Sequence, residues 1–321
     1  MIESMTPDPN IATPRRPRVI VLGAGRKPEV AARAPAIRAL IERHADVVVW
    51  DLAFQADLAE VDADWVIVLG GDGSILRAAA LMGYRQRPIL GVNLGKFGFL
   101  ADVAVDELPA VLSKLRARPA HVVEHLMFEC SLLRGDDVVW TELGLNETAV
   151  LAGPPFVILD LHLYVDGQWA TSYSCDGLIL STPIGSTAHS LSAGGPILRQ
   201  DLSAFVICPM SPHTLTMRPV VDSADRTFEL IVPAGDGAPH VVIDGRAKGM
   251  LEPGDKLRVR RAEPTFKLIK APEHSYYRTL RQKLGWGGRI RPDGERPTDR
   301  EAHSDSEARS DSEVRPDGEG S

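Results

Sequence analysis

From residue 18 onward the chain alternates short, fully apolar runs with stretches whose apolar residues recur every three or four positions. RVIVLG (18–23), DVVVW (46–50), DWVIVLG (64–70) and PILGVN (88–93) have the length and branched composition of buried strands. Between the first two, residues 29–44 carry Val30, Ile37, Leu40 and Ile41 at near-helical spacing. Ile75–Met82 after the third run and Asp106–Arg118 after the fourth read as helices. Strands apolar on both faces and separated by helices predict a parallel sheet covered on each side, here over 18–120.

Near residue 121 the period changes. HVVEHLMFECSLLRGDDVVW reads as strand, Gly-Asp-Asp turn, strand. FVILDLHLYVDGQWATSYS repeats the scheme around Asp166-Gly167, a hairpin signal. RTFELIVPAGDGAPHVVIDGR and GDKLRVRRAEPTFKLIK continue it, so 121–270 is expected to be a β-rich, sandwich-like second domain. SYYRTLRQKLGW (275–286) reads as an amphipathic helix, and 271–287 is expected to return to the first domain. The fold class is therefore α/β: a Rossmann-like N-terminal domain followed by a β-rich one. Residues 1–17 hold four prolines and little apolar content, which reads as a flexible lead-in. In 288–321, RPDGE and SDSE each occur twice in a polar, low-complexity segment, which reads as a disordered tail.

Composition narrows the function without naming it. A hydrophobic content of 44% and a charged content of 25% are ordinary for a globular protein. The net charge of −7 gives no general pull toward nucleic acid or an anionic membrane. No apolar run reaches the roughly 18 residues of a membrane span, and the N-terminus has no secretory apolar core. Three widely spaced cysteines, Cys130, Cys175 and Cys208, fit neither a disulfide frame nor a zinc site, which leads to the expectation of a reducing cytoplasm.

Four stretches carry candidate chemistry. Gly70-Gly71-Asp72-Gly73-Ser74 sits between a strand and a helix expected to start near Ser74. Its glycines let ligand oxygens approach backbone amides, and the helix start favours negative charge. The plain alternative is a tight turn with Asp72 or Ser74 as N-cap. The stretch has neither the spacing of a P-loop nor that of a dinucleotide fingerprint. NLGKFGFL (93–100) places Lys96 between two glycines at the ligand-binding end of the sheet, although a loop lysine is ordinarily just solvated. CDGLILSTPIGSTAHSLSAGGPIL (175–198) runs from a strand into hydroxyls and a helix expected to open at Thr187, where Ser186 and Thr187 suit an anion or a ribose. Asn146-Glu147 can read a ribose or base edge, and in isolation is equally a strand-edge turn. In HTLTMRPVV (213–221), His213 and Arg218 read by default as a satisfied histidine and a surface charge.

Together GGDGSILRAA, LGVNLGKFGFLAD, LNE, DGLILSTPIGSTAHSLSAGGPIL, HTLTMRP, DGR (244–246) and YYRTLRQKLGW resemble the NAD kinase family over about 18–287. The glycine turn is shared with lipid and sugar kinases; the 176–197 string is far more specific. The resemblance implies phosphoryl transfer from ATP or polyphosphate to the 2′-hydroxyl of the adenosine ribose of NAD. It matches Asp72 to the catalytic carboxylate, with Gly70 and Gly71 on the phosphates and Gly73 and Arg77 beside the nucleotide. It matches Asn146, Glu147, Asp176, the run Thr187, Ala188, His189, Ser190, Leu191 and Ser192, and Arg246 to the NAD site. It further implies a divalent ion, Mg²⁺, bridging the donor phosphates without protein ligands of its own, and assembly as a homodimer or homotetramer. Nucleic acid and membrane are not expected partners.

Ser74, Ile184 and His189 depart from the pattern, standing where threonine or asparagine, threonine and tyrosine are usual. These bear on the preference between NAD and NADH. A lipid or sugar kinase would lack the Asn-Glu pair. A non-catalytic NAD sensor would have no use for a carboxylate beside phosphates.

Overall fold

The structure, a computed structural model, describes residues 15–95, 98–117, 120–154, 158–233, 239–270 and 276–285. The elements in chain order are β1 (Arg18–Gly23), α1 (Pro28–Ile41), β2 (Asp46–Asp51), β3 (Trp65–Gly70), α2 (Asp72–Met82), β4 (Ile89–Asn93), β5 (Val103–Ala104) and α3 (Leu108–Ala117). There follow β6 (Val122–His125), β7 (Phe128–Arg134), β8 (Asp137–Gly144), β9 (Glu147–Leu151), β10 (Leu159–Val165), β11 (Gln168–Cys175) and β12 (Gly177–Ser181). A single 3₁₀ turn (Gly185–Thr187) leads to α4 (His189–Ser192). The chain continues through β13 (Ala204–Met210), β14 (Val220–Ser223), β15 (Phe228–Ile231), β16 (His240–Ile243), β17 (Arg246–Met250), β18 (Lys256–Arg261), β19 (Phe266–Ile269) and α5 (Tyr276–Leu284).

The first sheet runs β2-β1-β3-β4-β19-β6, with β5 also paired to β4. Strands β1 to β4 are parallel, as the apolar runs predict. Alternate residues of each strand face opposite sides. Ile20, Leu22, Val66 and Val68 pack with Ile75, Ala78 and Ala79 of α2. Val19, Val21, Ile67 and Leu69 pack with Val30 and Ile37 of α1 and Leu108 and Leu112 of α3. Two strands from beyond residue 120 complete this sheet: β19 lies parallel to β4, and β6 runs antiparallel to β19. A division of the chain at residue 120 therefore does not coincide with the division between sheets.

The remaining strands form two six-stranded antiparallel sheets, β11-β10-β15-β18-β7-β8 and β14-β13-β12-β9-β16-β17. Their inner faces share one core, in which Phe128, Leu161, Phe228 and Val259 meet Val150, Leu180, Phe205 and Ile243. This is the sandwich expected from the hairpin pattern. The turn at Asp166-Gly167 has φ of +50° and +77°, as a tight hairpin requires. On the outer face of the second sheet, Ala149, Ile179, Val206 and Cys208 pack with Leu198, which lays the 189–198 segment over that face. The C-terminal helix is present as Tyr276–Leu284; the linker 271–275 and residues 286–287, like the lead-in 1–14 and the tail 288–321, lie outside the described residues.

Candidate active site

Gly70 ends β3 with φ +148°, and a Cβ there would run into the Ser74 hydroxyl, so only glycine serves. A Cβ on Gly71 or Gly73 meets nothing within 4 Å, so neither position is closed by neighbouring atoms in that direction. Helix α2 begins at Asp72, earlier than the expected Ser74, with Gly71 as its N-cap and no side-chain cap. Asp72 and Ser74 thus do not cap the helix, and Ser74 is buried.

The Asp72 carboxylate reaches across to the loop after β4. Its Oδ2 accepts the Phe99 N–H at 2.8 Å, and its Oδ1 accepts the N–H groups of Leu100 and Ala101, each at 3.0 Å. Gly98 makes this approach possible, since a Cβ there would overlap the carboxylate. The group is therefore fixed in place with lone-pair capacity remaining on Oδ2. That is geometry suited to orienting an incoming hydroxyl. Lys96, the other candidate of this loop, lies outside the described residues.

A second aspartate performs the same act in the sandwich. Asp244, at φ +47° in the turn between β16 and β17, accepts the N–H groups of Leu145 (2.9 Å), Asn146 (2.7 Å) and Glu147 (3.2 Å). This fixes the Asn-Glu pair at the mouth of β9, directly opposite Ser181 at the end of β12. Burial raises the pKa of Asp244, against the pull of those three amides. Sequence reasoning singled out Arg246 of the same Asp-Gly-Arg turn and missed Asp244, because Asp-Gly reads locally as turn chemistry alone.

The hydroxyls of 181–187 each bond the backbone of this loop, with acceptor lone pairs left on the half-buried Thr187. Thr182 donates to the Leu145 carbonyl (2.6 Å) and accepts from the Gly185 N–H (3.2 Å). Ser186 donates to the Pro183 carbonyl (2.6 Å) and accepts the Leu198 N–H (2.9 Å), while Thr187 donates to the Ile184 carbonyl (3.0 Å). Instead of one helix opening at Thr187, a 3₁₀ turn gives way to the short α4. Ile184, an apparent departure, packs in an apolar cluster with Ile75, Met127 and Leu145, which accounts for an apolar side chain there.

Four side-chain atoms on these fastened loops are buried and have no hydrogen-bond partner: Asn146 Oδ1, Glu147 Oε2, Ser190 Oγ and Arg246 Nη2. Each such atom costs about 1–3 kcal/mol if nothing meets it, so a polar ligand is the natural complement. Burial, reinforced by the Asp244 carboxylate, pushes the Glu147 carboxyl up to about 8 against the opposing N–H of His189. Glu147 therefore holds its proton at neutral pH and can both donate and accept. Thr187, Ala188, His189 and Leu191 are half-buried around it, and Ser192 is exposed.

Asp176 and Arg77 have partners of other kinds. Asp176 is exposed at the start of β12, the far end of that strand from Ser181, roughly 15 Å away by the rise of an extended chain. Arg77 lies on α2 with its guanidinium stacked 4.5 Å from the Phe54 ring centroid and 3.4 Å from the Ala53 carbonyl. Phe54 belongs to a third amide-holding turn, in which Asp51 accepts the N–H groups of Ala53, Gln55 and Ala56. Arg218 keeps its plain reading, bonding the Leu215 and Met217 carbonyls of its own turn, while His213 is exposed and only its backbone N–H bonds the Ser174 carbonyl among the described contacts.

Among the described residues no three His, Cys, Asp or Glu side chains converge as a metal site, and no helix is long and apolar enough to cross a membrane. Comparison with known proteins converges on one family. The model of the ATP-NAD kinase N-terminal domain matches residues 18–119, and that of the C-terminal domain matches 145–271. The NAD kinase of Rhodopirellula baltica is 49% identical over 86% of this chain and 89% of its own length. That of Geobacter metallireducens is 44% identical over 71% and 80%. An Archaeoglobus fulgidus NAD kinase solved with ATP superposes with a TM-score of 0.67 at 28% identity, covering 84% of this chain and 97% of that one. Yeast NADH kinase solved with NADH shares the fold, with a TM-score of 0.76 at 23% identity over 86% and 90%. The chain belongs to the NAD kinase family.

Proposed function

We propose that this chain transfers the terminal phosphoryl group of ATP to the 2′-hydroxyl of the adenosine ribose of NAD, yielding NADP and ADP. The observation that carries the reading is the set of four unpartnered buried polar atoms at Asn146, Glu147, Ser190 and Arg246. They offer an acceptor, a protonated carboxyl, a hydroxyl and a guanidinium N–H to the adenosine end of NAD. Thr187 to Ser192 line the same place through backbone and side chain.

Asp72 Oδ2 accepts a hydrogen bond from the 2′-hydroxyl and then its proton as the oxygen attacks the terminal phosphorus. The P–O bond to ADP breaks, and ADP leaves with those electrons. Gly70, Gly71 and Gly73 bring backbone amides and the α2 N-terminus to the donor phosphates. Phosphoryl transfer depends chiefly on positioning and charge stabilisation, which suits a carboxylate locked by three amides. A divalent ion such as Mg²⁺ would neutralise charge on the donor phosphates, held by phosphate oxygens and water, since no cluster of three His, Cys, Asp or Glu among the described residues would cage it. Assembly as a homodimer or homotetramer and a cytoplasmic setting complete the proposal. The buried thiols of Cys130, Cys175 and Cys208 suit a reducing compartment.

The test is direct. Purified protein is given NAD or NADH with ATP or polyphosphate, and NADP(H) is read through an NADP-specific dehydrogenase. NADP from NAD and ATP is the expected result; no product from any pairing refutes the reading. Light scattering on the same sample checks the oligomer.

A further inference from the structure

Strand β3 pairs along one whole edge of β4, from Val66 beside Ile89 to Gly70 beside Asn93. The other edge of β4 is taken by two strands, one after the other. There β19 pairs at Leu268 beside Ile89, and β5 pairs at Val103 beside Val92 and Ala104 beside Asn93. Both run parallel to β4, so the end of β19 points at the start of β5. The residue that follows β19 is Lys270, and the residue that precedes β5 is Asp102. Lys270 Nζ stands 3.5 Å from Asp102 Oδ2, and the Asp102 side chain is only 3% exposed. The Lys270 N–H is bonded to the His121 carbonyl at 3.0 Å, which fixes the backbone that carries the ammonium.

Asp102 directly follows the three residues whose amides hold Asp72. Phe99 donates to that carboxylate at 2.8 Å, and Leu100 and Ala101 each donate at 3.0 Å. The same stretch lies directly on β4: a Cβ on Gly91 would come within 3.0 Å of the Ala101 Cα and of the Leu100 carbonyl oxygen. At its C-terminal end the stretch is anchored by a buried carboxylate, which is costly unless a positive charge compensates it. Lys270 supplies such a charge. Without it, the Asp102 carboxylate has to move toward water or take up a proton. Either response shifts the backbone that aims Asp72.

We propose that Lys270 is a positioning residue for Asp72: through its ion pair with Asp102 it holds the 99–101 backbone where three N–H groups fix the carboxylate. Its effect on turnover rests on the kinase reading above; its effect on the loop does not. The pair also gives β19 a task at the site. The strand that joins the first sheet from beyond residue 120 carries the cation that steadies the loop after β4.

Amide hydrogen exchange on the full chain reads the loop independently of turnover. Lys270→Met, which keeps a long side chain and drops the charge, should speed exchange at Phe99, Leu100 and Ala101 about tenfold, while β12 exchanges as in wild type. In the coupled NADP assay it should lower kcat about ten- to a hundredfold, as a misplaced reacting group does, with the KM for NAD unchanged. Lys270→Arg should restore most of both. Asp102→Asn should act in the same direction, and the double variant should lose no more than the worse single one, because each change removes the same pair. Wild-type kcat and exchange in Lys270→Met overturn the proposal. So do a loss of kcat with unchanged exchange at 99–101, faster exchange throughout the chain, losses that add in the double variant, or a Lys270→Arg variant no better than Lys270→Met. Should Lys270→Met fail to fold, Asp102→Asn decides in its place, and wild-type exchange and kcat there overturn the proposal. If the wild type forms no NADP the kinase reading fails, and exchange at 99–101 still decides the role of Lys270.

Discussion

Replacing Asp72 by asparagine probes both roles of that carboxylate, chemical and mechanical. The side-chain carbonyl of asparagine can keep the two N–H groups that Oδ1 now accepts, from Leu100 and Ala101 at 3.0 Å. Its NH₂ then faces the Phe99 N–H that Oδ2 accepts at 2.8 Å, donor against donor. Losing one charge-assisted bond and leaving that amide unsatisfied costs about 1–3 kcal/mol. A fall in Tm of roughly 2–6 °C is expected for a chain of this size. The chemical loss is larger, because the ribose hydroxyl no longer has a group to take its proton: on the order of 10²–10⁴-fold in kcat. NAD affinity should hold within a few-fold, because Asn146 and Glu147 are fastened through Asp244 instead. Coupled NADP formation, a thermal melt and NAD titration on one preparation measure all three. Turnover within about fivefold of wild type would refute Asp72 as the proton acceptor.

Four further substitutions separate neighbouring claims. Gly98→Ala, whose Cβ would overlap the Asp72 carboxylate, should lose about 1–3 kcal/mol and at least tenfold in kcat; Gly73→Ala, which meets nothing within 4 Å, should melt like wild type, so a wild-type melt for Gly98→Ala sinks the packing argument. The carboxyl of Glu147 is raised from about 4.5 to about 8 by burial and by Asp244, so the stability it contributes is whole below pH 4.5 and lost as pH rises through 8. Glu147→Gln, which never ionises, should match wild type in melts at pH 5 and exceed it at pH 9; equal melts at both would count against a protonated Glu147. Burial holds the His125 imidazole down at about 4, so on acidification the unfolded chain takes up its proton first, below pH 6.5. Stability should drop by about 3 kcal/mol between pH 6.5 and 4 for this reason, and urea melts of His125→Phe should show a shallower decline.

Much of the fold was legible because its signals are local. Four apolar runs became β1 to β4 within a residue or two, since their short length and branched composition mark them as strands, even the half-buried edge strand β2. The Asp166-Gly167 turn announced its hairpin. What sequence reading assigned to the wrong sheet was β6 and β19: their pairing is set by neighbours more than a hundred residues apart, and local pattern carries no trace of that. The site divides in the same way. Asp72 is held by the loop after β4, and the Asn-Glu pair by the Asp-Gly-Arg turn that carries Arg246. Asp244 and Gly98 were overlooked because their work is done across the fold, on amides about a hundred residues away and on a carboxylate one strand over. Hydroxyl-rich loops mislead in a specific way: Thr182, Ser186 and Thr187 look like ligand donors in a string and turn out to bond their own backbone.

The three aspartates that each gather three amides set a rule for what the chain can tolerate by substitution. Asp51 and Asp72 bind backbone N–H groups, and those groups belong to every residue type except one. At positions 53, 55, 56, 99, 100 and 101 the fastening is therefore indifferent to side-chain identity and intolerant of proline, which has no N–H to give. A saturation library at these positions should show one forbidden letter in common beneath whatever packing preferences each site adds. Such loops can drift in sequence while the carboxylates keep their aim.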